Sequence, residues 1–400
     1  MARVLVTDAA RGSAISIIRS LGRRGIAVVA ADSDPRAPGL KSRYAEAGLV
    51  YPRPADDPEA TVAALLSAAR TQAVDLIIPV TDDVILPLTQ ARERFDGVCE
   101  LALAEPDALA TASDKLATLE LARRLGIPTP RTALVTTAAE AAQAAEGLGW
   151  PVVLKPRVSR GYADGAVAAY NVEYADRPET LVEQMRRFEG RCPVLLQQYY
   201  AGEGQGIEVL SHSGRPLAAF QHRRLREVPT TGGASSFRES VPLDPTLLGH
   251  SLRLLEELSW TGLAMVEFKV GADGPQLMEV NGRIWGSLPL AVKSGMDFPG
   301  RLADLYLSGP PNGRTSLDTT YRLGVRSRNL DLEVLWIVAA LRKRRPYPFL
   351  PSPSRRDGLR VALRLLRPGD GFDIFSRDDP KPGLAELVKV ARKLRRKLAA

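Results

Sequence analysis

The first hundred residues alternate between short apolar runs and segments with helical spacing. RVLVT, IAVVAAD and DLIIPVTDD have the pattern of buried strands, whereas GSAISIIRSLGRRG and EATVAALLSAARTQA have the pattern of helices. Strands that alternate with helices along a chain favour a parallel sheet covered by helices. We therefore predict a doubly wound, parallel α/β domain over residues 1–105.

A strand, a glycine, a helix and an aspartate at the end of the next strand also suggest dinucleotide binding. The segment DAARGSAIS supplies one glycine, Gly12, where the fingerprint has three, and the aspartate would be Asp32. An NAD-dependent oxidoreductase is therefore a disfavoured alternative.

Composition bounds the class of protein. A chain of 400 residues is long enough for two or three domains. Its two cysteines make a disulfide framework or a cysteine-based metal site unexpected and fit a reducing compartment. The beginning of the sequence lacks an apolar secretory segment, and no apolar run approaches the roughly 20 residues that span a bilayer. We expect a cytoplasmic protein.

The positive charge lies at one end of the chain. Residues 321–400 hold 20 Lys and Arg against 8 Asp and Glu, whereas residues 1–320 have a net charge of −4. A basic last fifth does not make the whole protein basic, and we expect no nucleic acid as a partner.

Beyond residue 105 the pattern changes to longer helices, hairpins and glycine-containing turns. EPDALATASDKLATLELARRLG is predicted to be one helix ending at Gly126, and PVVLKPRVSRGYADGAVAAY to be two strands joined by a polar loop. SGPPNGRTSLDTT has the composition of a linker into the basic tail.

Two carboxylates stand where strand residues should face a core. VEFKVGADGPQLMEVNGRIWGS is predicted to be a hairpin with its turn at ADGP, and it carries Glu267 and Glu279 on adjacent strands. Close carboxylates repel unless cations accompany them, and Mg²⁺ is commonly held by one or two carboxylates with phosphate oxygens. Asn281 shares the face of Glu279 and offers an oxygen, and Arg283 continues that parity. The alternative is an exposed strand face dotted with charge.

Lys155 lies within the apolar strand VVLKP, immediately before the glycine-containing loop RVSRGYADG. A lysine beside a loop that permits close backbone approach suits the neutralisation of phosphates. A surface lysine at a strand edge is the alternative.

With these residues in place, the chain resembles the ATP-grasp superfamily of carboxylate–amine or carboxylate–thiol ligases. The resemblance rests on an ordered set of segments over residues 1–310: SDKLATLELARRLGIPTP, GWPVVLKP, RGYADG, LLQQYYAGEG, GLAMVEFKV and LMEVNGRIWGSLPLA. It implies that residues 1–105 are the pre-ATP-grasp domain. It also implies a two-subdomain ATP-grasp fold over residues 106–312, divided into a central part at about 115–195 and a C-terminal part at about 196–312.

The resemblance also implies roles for individual residues. Lys115 and Lys155 would contact the ATP phosphates, and residues 158–165 would close over them, with Ser159, Arg160 and Gly161 as nucleotide contacts. The backbone of Gln198 and Tyr199 would bind adenine, and Glu203 would accept from the ribose, with Glu208 as a second choice. Glu267, Glu279 and Asn281 would bind Mg²⁺, with two ions expected and Mn²⁺ as an alternative, and Arg283 would steady the transferred phosphate.

The implied reaction is ADP-forming ligation, in which a carboxylate is activated as an acyl phosphate and joined to an amine. A thiol acceptor, an ATP-dependent kinase and a non-catalytic nucleotide-binding scaffold or sensor are the alternatives.

Two segments are candidates for substrate contact. One is QHRRLREVPTTGGASSFRES, which lies between the strands that begin at LLQQYY and the metal hairpin, and the other follows Arg283. A cationic cluster could hold a substrate carboxylate or phosphate. Strand alternation places Arg224 and Arg226 on one face and Arg223 on the other, unless the strand bulges. The candidate substrate residues are Arg224, Arg226, Gly232, Gly233, Trp285 and Ser287.

Residues 313–400 are predicted to be a linker and a basic helical C-terminal extension. Two segments, 334–345 and 382–400, combine apolar and basic residues and could contact an anionic membrane surface or an acidic partner. Packing of these helices on the rest of the protein is the favoured interpretation. A homodimer is a further expectation.

Overall fold

The computed structural model describes residues 2–158, 160–163, 166–169, 172–311, 313, 316–342, 347–365 and 369–399, with only the backbone described at 160–163, 166–169 and 396–399.

The N-terminal part is the predicted parallel α/β domain, with its strands in the order β3-β2-β1-β4-β5. Its strands are β1 (Arg3–Val6), β2 (Ala27–Asp32), β3 (Ala47–Val50), β4 (Leu76–Ile78) and β5 (Glu100–Leu101). Its helices are α1 (Gly12–Arg23), α2 (Pro58–Thr71) and α3 (Asp82–Gln90), with 3-10 turns at Pro38–Lys41 and Arg92–Phe95. The strand order reverses between β1 and β4, and such a switch point is where open α/β sheets bind ligands.

The prediction of a single helix up to Gly126 is wrong, because the helix is interrupted at Asp114. Two helices form instead, α4 (Pro106–Ser113) and α5 (Lys115–Arg124). Asp114 has extended backbone angles, and its carboxylate accepts from the N–H groups of Leu116 and Ala117. This N-cap begins a new helix and places Lys115 at its first position.

A four-stranded antiparallel sheet follows, in the order β10-β7-β11-β6. Its strands are β6 (Thr132–Val135), β7 (Val152–Pro156), β10 (Glu173–Ala175) and β11 (Val194–Gln198), and it is joined by the hairpin β8 (Arg160–Ala163) and β9 (Ala166–Ala169). Helices α6 (Ala138–Leu148) and α7 (Pro178–Met185) accompany it, and α6 begins in a capping box between Thr137 and Glu140.

The largest sheet has seven strands in the order β16-β15-β12-β13-β14-β17-β18. They are β12 (Glu203–His212), β13 (Arg215–Val228), β14 (Ala234–Ser240), β15 (Gly262–Gly271), β16 (Gly274–Asn281), β17 (Arg326–Arg328) and β18 (Gly371–Phe372). Its flanking helices are α8 (Pro245–Glu257), α9 (Leu288–Ser294) and α10 (Phe298–Ser308).

The seven-stranded sheet shares its core with the N-terminal domain. One buried cluster joins Leu5 and Ile77 to Val266, and another joins Ile17 to Trp285. This continuous apolar contact holds the N-terminal domain against the large sheet.

The C-terminal residues are built into the same fold. β17 pairs with β14, and β18 pairs with β17. The remaining helices are α11 (Leu330–Leu341), α12 (Arg355–Arg364) and α13 (Pro380–Ala399). Every residue of α11 is at least half-buried, with Trp336, Ile337 and Ala340 packed in an apolar cluster. Residues 334–341, the apolar part of the first predicted membrane segment, therefore pack on the rest of the protein.

None of the helices in the described ranges has both the length and the apolar character needed to cross a membrane.

Candidate active site

A cleft of about 1010 Å³ opens where the N-terminal domain meets the two antiparallel sheets. Its lining includes cationic and acidic side chains from all three parts and from α11 and α13. The site is centred on β15 and β16, which form one edge of the large sheet.

The predicted hairpin forms, and its antiparallel register places Glu267 directly opposite Glu279. The amide nitrogen of Asn281 donates to Oε1 of Glu267 at 3.0 Å and to Oε1 of Glu279 at 3.3 Å. Because one nitrogen contacts both carboxylates, the two groups converge on a single point of the cleft. Within the described part of the chain, no group of three or more His, Cys, Asp and Glu side chains could hold a metal ion. Two carboxylates with one amide is instead a donor set that suits Mg²⁺ bound together with phosphate.

Four cations surround Glu279. Burial is the largest influence on its ionisation and opposes it, but these cations together outweigh burial and hold the pKa of the Glu279 carboxyl below its usual range. They are Lys115, Lys155, Arg283 and Arg224. Burial and the neighbouring Glu279 raise the pKa of Glu267, although its ion pair with Arg224 opposes this. The pair thus holds one firmly ionised carboxylate beside one that needs further positive charge.

Lys155 lies on β7, opposite Leu195 of β11, and lines the cleft. Burial lowers the pKa of Lys155 to about 8, with the nearby Lys115 acting in the same direction and Glu279 opposing both. Burial disfavours the charged form of this lysine, and nearby phosphate oxygens would favour it again. Lys155 is therefore suited to binding an anion.

Arg283 connects the hairpin to the N-terminal domain. Its Nε donates to Oδ2 of Asp82 at 3.0 Å, at the start of α3. Asp8, which follows β1, accepts from both the backbone N–H and the hydroxyl of Thr81, which follows β4. The carboxyl ends of β1 and β4 therefore meet at the cleft, next to Arg283.

Arg224 is the predicted substrate arginine that reaches the cleft. It forms an ion pair with Glu267, and its Nη1 donates to Oε1 of Glu227 at 3.0 Å and to the carbonyl of Gly233 at 3.1 Å. A Cβ on Gly204 would lie 2.9 Å from Cδ of Arg224, so this glycine leaves room for the arginine. Gly232, Gly233 and Ser287 also line the cleft, as does Trp285, whose ring is buried in the core.

The prediction for Arg226 is wrong, because β13 is irregular on both sides of this residue. The register shifts turn Arg226 away from Arg224 and onto Glu333 of α11, at 2.6 Å between Nη2 and Oε2. Its guanidinium lies over the ring of Phe237 at 4.4 Å. Arg226 thus fastens α11 to the sheet.

Two predicted ribose acceptors also point away from the cleft. Glu203 is exposed beside Arg223, because strand alternation gives the cleft-facing position to Gly204. Glu208 is 0% exposed and accepts from the hydroxyl of Ser287 at 3.0 Å. Glu208 therefore holds Ser287 from its buried side, away from the cleft.

The predicted adenine contacts, the backbone groups of Gln198 and Tyr199, lie at the end of β11. The N–H of Gln198 donates to the carbonyl of Arg131, and that of Tyr199 donates to the carbonyl of Pro151. Both residues line the cleft, and adenine binding by their backbone stays a prediction. Ser159 lies outside the described residues, and Arg160 and Gly161 are described only as backbone of β8, paired with Ala169 and Ala168.

Two charged cleft residues close to the hairpin were not predicted from the sequence. Lys269 lies 5.5 Å from the centroid of the Tyr199 ring, and burial lowers its pKa. It stands two positions after Glu267, so strand parity could have identified it. Glu227 follows Arg226 and pairs with Arg224, and only the bulge in β13 brings it to the cleft.

Comparison with known proteins gives the same assignment. The family described as "ATP-grasp in the biosynthetic pathway with Ter operon" matches residues 191–328, which include the hairpin with both carboxylates. Over these residues the chain is similar to ATP-grasp proteins. Among curated relatives, the carbamoyl phosphate synthase large chain of Deinococcus radiodurans is 26% identical over 216 residues. That match covers 52% of this chain and 21% of the relative, so the chain spans about a fifth of the relative's length.

Solved structures show the ATP-grasp fold over most of the chain. A biotin carboxylase complex from Campylobacter jejuni has a TM-score of 0.62 and 16% identity, covering 81% of this chain and 74% of that one. An L-amino acid ligase from Bacillus licheniformis has a TM-score of 0.58 and 18% identity, covering 77% of this chain and 74% of that one.

Proposed function

We propose that this protein is an ATP-dependent ligase that activates a carboxylate as an acyl phosphate and joins it to an amine, releasing ADP and phosphate. The observation that carries the proposal is the in-register pair Glu267 and Glu279, set in a cleft among four cations. The likeness to an L-amino acid ligase supports an amine as the acceptor.

The described residues fit ATP with Mg²⁺. Glu267 and Glu279 would bind the metal, which would neutralise phosphate charge when bound. Asn281 now presents its amide nitrogen to both carboxylates, so its oxygen would have to take that place in order to serve as a ligand. Two Mg²⁺ ions stay a prediction, and Mn²⁺ would suit the same oxygen donors.

Cations of the cleft would do most of the work in the first step. A substrate carboxylate oxygen attacks the γ-phosphorus, the bond from that phosphorus to the bridging oxygen breaks, and ADP leaves. Lys115 and Lys155 would hold the phosphates, and Arg283 would hold the transferred group, with its orientation set by Asp82. Positioning and charge neutralisation dominate such transfers.

In the second step the amine nitrogen attacks the acyl carbon, the carbon–phosphate oxygen bond breaks, and the amine proton leaves. Arg283 would stabilise the oxyanion that forms on the acyl carbon. Exclusion of water matters because an acyl phosphate hydrolyses. The loop at 158–165 remains the predicted cover.

Phosphate and ADP release should be measured with Mg²⁺ and ATP over pooled carboxylates and amines, with products identified by mass spectrometry. Release that requires both a carboxylate and an amine, with formation of the joined compound, is the expected result. A phosphorylated product without joining would indicate the kinase alternative. ATP binding without turnover in any pool would favour the scaffold or sensor, and absence of ATP binding would contradict the proposal.

The affinity for MgATP should fall as pH rises past 8. With a pKa of about 8 in the free protein, Lys155 is mostly charged at pH 7 and mostly neutral at pH 9, and a neutral amine does not attract phosphate. If only the charged form binds well, the Kd for MgATP increases about 10-fold between these pH values. Arginine keeps its charge over this range, so Lys155→Arg should flatten the dependence. Calorimetric titrations of both proteins would check this, and an unchanged slope in the variant would contradict it.

Contact with an anionic membrane or an acidic partner stays a prediction, as does a homodimer. We favour α13 as the surface for such a contact, because Leu384, Leu387 and Val388 are exposed on one face of this helix. Sedimentation with anionic vesicles would test the membrane contact, and no binding would remove it.

A further inference from the structure

One end of the cleft is built by residues outside the segments that resemble the family. Its C-terminal wall consists of Asn329, Asp331, Leu332, Ile374, Glu386 and Lys389. Asp379 holds this wall in place, since its carboxylate accepts from Nε of Arg19 at 2.9 Å and from the hydroxyl of Ser42 at 2.7 Å. Asp379 is buried, so the start of α13 is anchored to the N-terminal domain through α1 and the chain after Lys41.

Glu386 is the unusual member of this wall. It is 4% exposed, yet its Oε2 is buried without a hydrogen-bond partner among the described residues. An ionised carboxylate in such a position is costly unless a cation or a donor accompanies it. Because Glu386 lines the cleft, a bound ligand can supply that partner.

The cations near Glu386 are engaged elsewhere. Arg19 is bound to Asp379 and to the carbonyl of Ile374, and Lys293 donates to the carbonyl of Phe372. Lys393 donates to both oxygens of Asp331 at 2.8 Å. Lys389 is exposed, and although Lys389 and Arg19 both act to lower the pKa of Glu386, they do not outweigh its burial and its acidic neighbours.

The surroundings are acidic as well. After burial, the nearby carboxylates of Asp373 and Asp331 are the strongest influences that raise the pKa of Glu386, to about 7. Across the cleft, Asp8 and Asp32 line the N-terminal wall, together with Arg11. The arrangement favours a positively charged group at this end, in contrast to the phosphate-binding end with Lys115 and Lys155.

We propose that Glu386 binds a protonated amine of the acceptor substrate, so that the acceptor carries a second, cationic nitrogen besides the one that is acylated. This proposal rests on the proposed ligase function and specifies its acceptor as a diamine or a dibasic amino acid. The C-terminal residues thus act as a specificity wall, and the ammonium completes the hydrogen bonding of the buried carboxylate.

Calorimetric binding in the presence of MgADP would test this without any turnover. Lysine would be compared with norleucine, and 1,4-diaminobutane with butylamine, because each pair differs by one ammonium group. The wild-type protein should bind the dication or dibasic member at least about 10-fold more tightly, the value expected of one charge-assisted hydrogen bond. Glu386→Gln should abolish the preference, and Glu386→Asp should keep part of it. The control Glu257→Gln changes an exposed glutamate of α8 and should keep the full preference.

Equal binding within both pairs by the wild-type protein would overturn the proposal, as would a preference that survives in Glu386→Gln. A separate titration with MgATP distinguishes failure of the acceptor assignment from failure of the ligase proposal. Normal MgATP binding without the amine preference removes only the acceptor assignment, whereas loss of MgATP binding in the wild-type protein removes the ligase proposal itself.

Discussion

Replacing Glu279 by glutamine should lower ATP-dependent product formation about 1,000-fold, the upper end of what loss of one electrostatic catalytic group costs. Glutamine keeps the shape of the side chain and can still accept from Asn281, so the change isolates the negative charge. Without that charge, four cations face one another across the proposed metal site, and the metal loses its firmly ionised ligand. In free energy of activation the loss corresponds to about 4 kcal/mol.

The measurement is turnover under saturating ATP, with Mg²⁺ varied over a wide range. We expect the variant to need far more Mg²⁺ and to stay slow at saturation. Glu257→Gln is the matched control, since this exposed glutamate lies outside the lining of the cleft. A decrease of less than about 10-fold in the variant would contradict a direct metal ligand, because even residues behind a metal ligand cost 10–100-fold.

Replacing Glu333 by glutamine should destabilise the C-terminal edge of the large sheet by about 3–5 kcal/mol, as for other broken buried ion pairs. Glu333 is 0% exposed and accepts from Arg226, Arg328 and the hydroxyl of Ser236. Both guanidinium groups are held over the ring of Phe237, at 4.4 and 4.0 Å. Loss of the carboxylate leaves them without their shared anion, although Arg328 keeps its ion pair with Asp370.

Native-state hydrogen exchange of the amides of β14 and β17 would measure this effect, because the free energy of local opening is read at each amide. A multidomain chain need not unfold in one step, so a local measurement is preferable to a single transition. Glu257→Gln should change the opening free energy by no more than about 0.5 kcal/mol, as expected for a surface substitution. An effect of Glu333→Gln below about 1 kcal/mol would show that the cluster relaxes or admits water.

Stability of this edge bears on function. Asn329 lies between β17 and α11, Asp331 and Leu332 are in the first turn of α11, and all three line the cleft. We therefore expect Glu333→Gln to weaken acceptor binding more than MgATP binding, since the metal hairpin lies at the opposite edge of the same sheet.

Much of the site follows from local sequence. A strand's period of two, together with the turn ADGP, is enough to place Glu267 and Glu279 on neighbouring strands, and their pairing in register confirms this. Lys155 could also be identified from the sequence, because a charged residue within an apolar strand must face a cleft or a partner. Alternation of strands and helices likewise determined the parallel N-terminal domain.

Only the tertiary structure decided which other charged side chains reach the cleft. Irregular pairing in β13 directs Arg224 inward and sends Arg226 to Glu333, and no periodicity in the sequence shows a bulge. Glu203 faces away from the cleft because the next residue, Gly204, takes the cleft-facing position of the strand. The resemblance had implied that Glu203 contacts the ribose. Glu386 enters the cleft because Asp379 binds Arg19, 360 positions earlier in the chain. Local patterns specify which face of a strand a residue occupies, but contacts over such separations depend on how whole elements pack, and that is settled by the core as a whole.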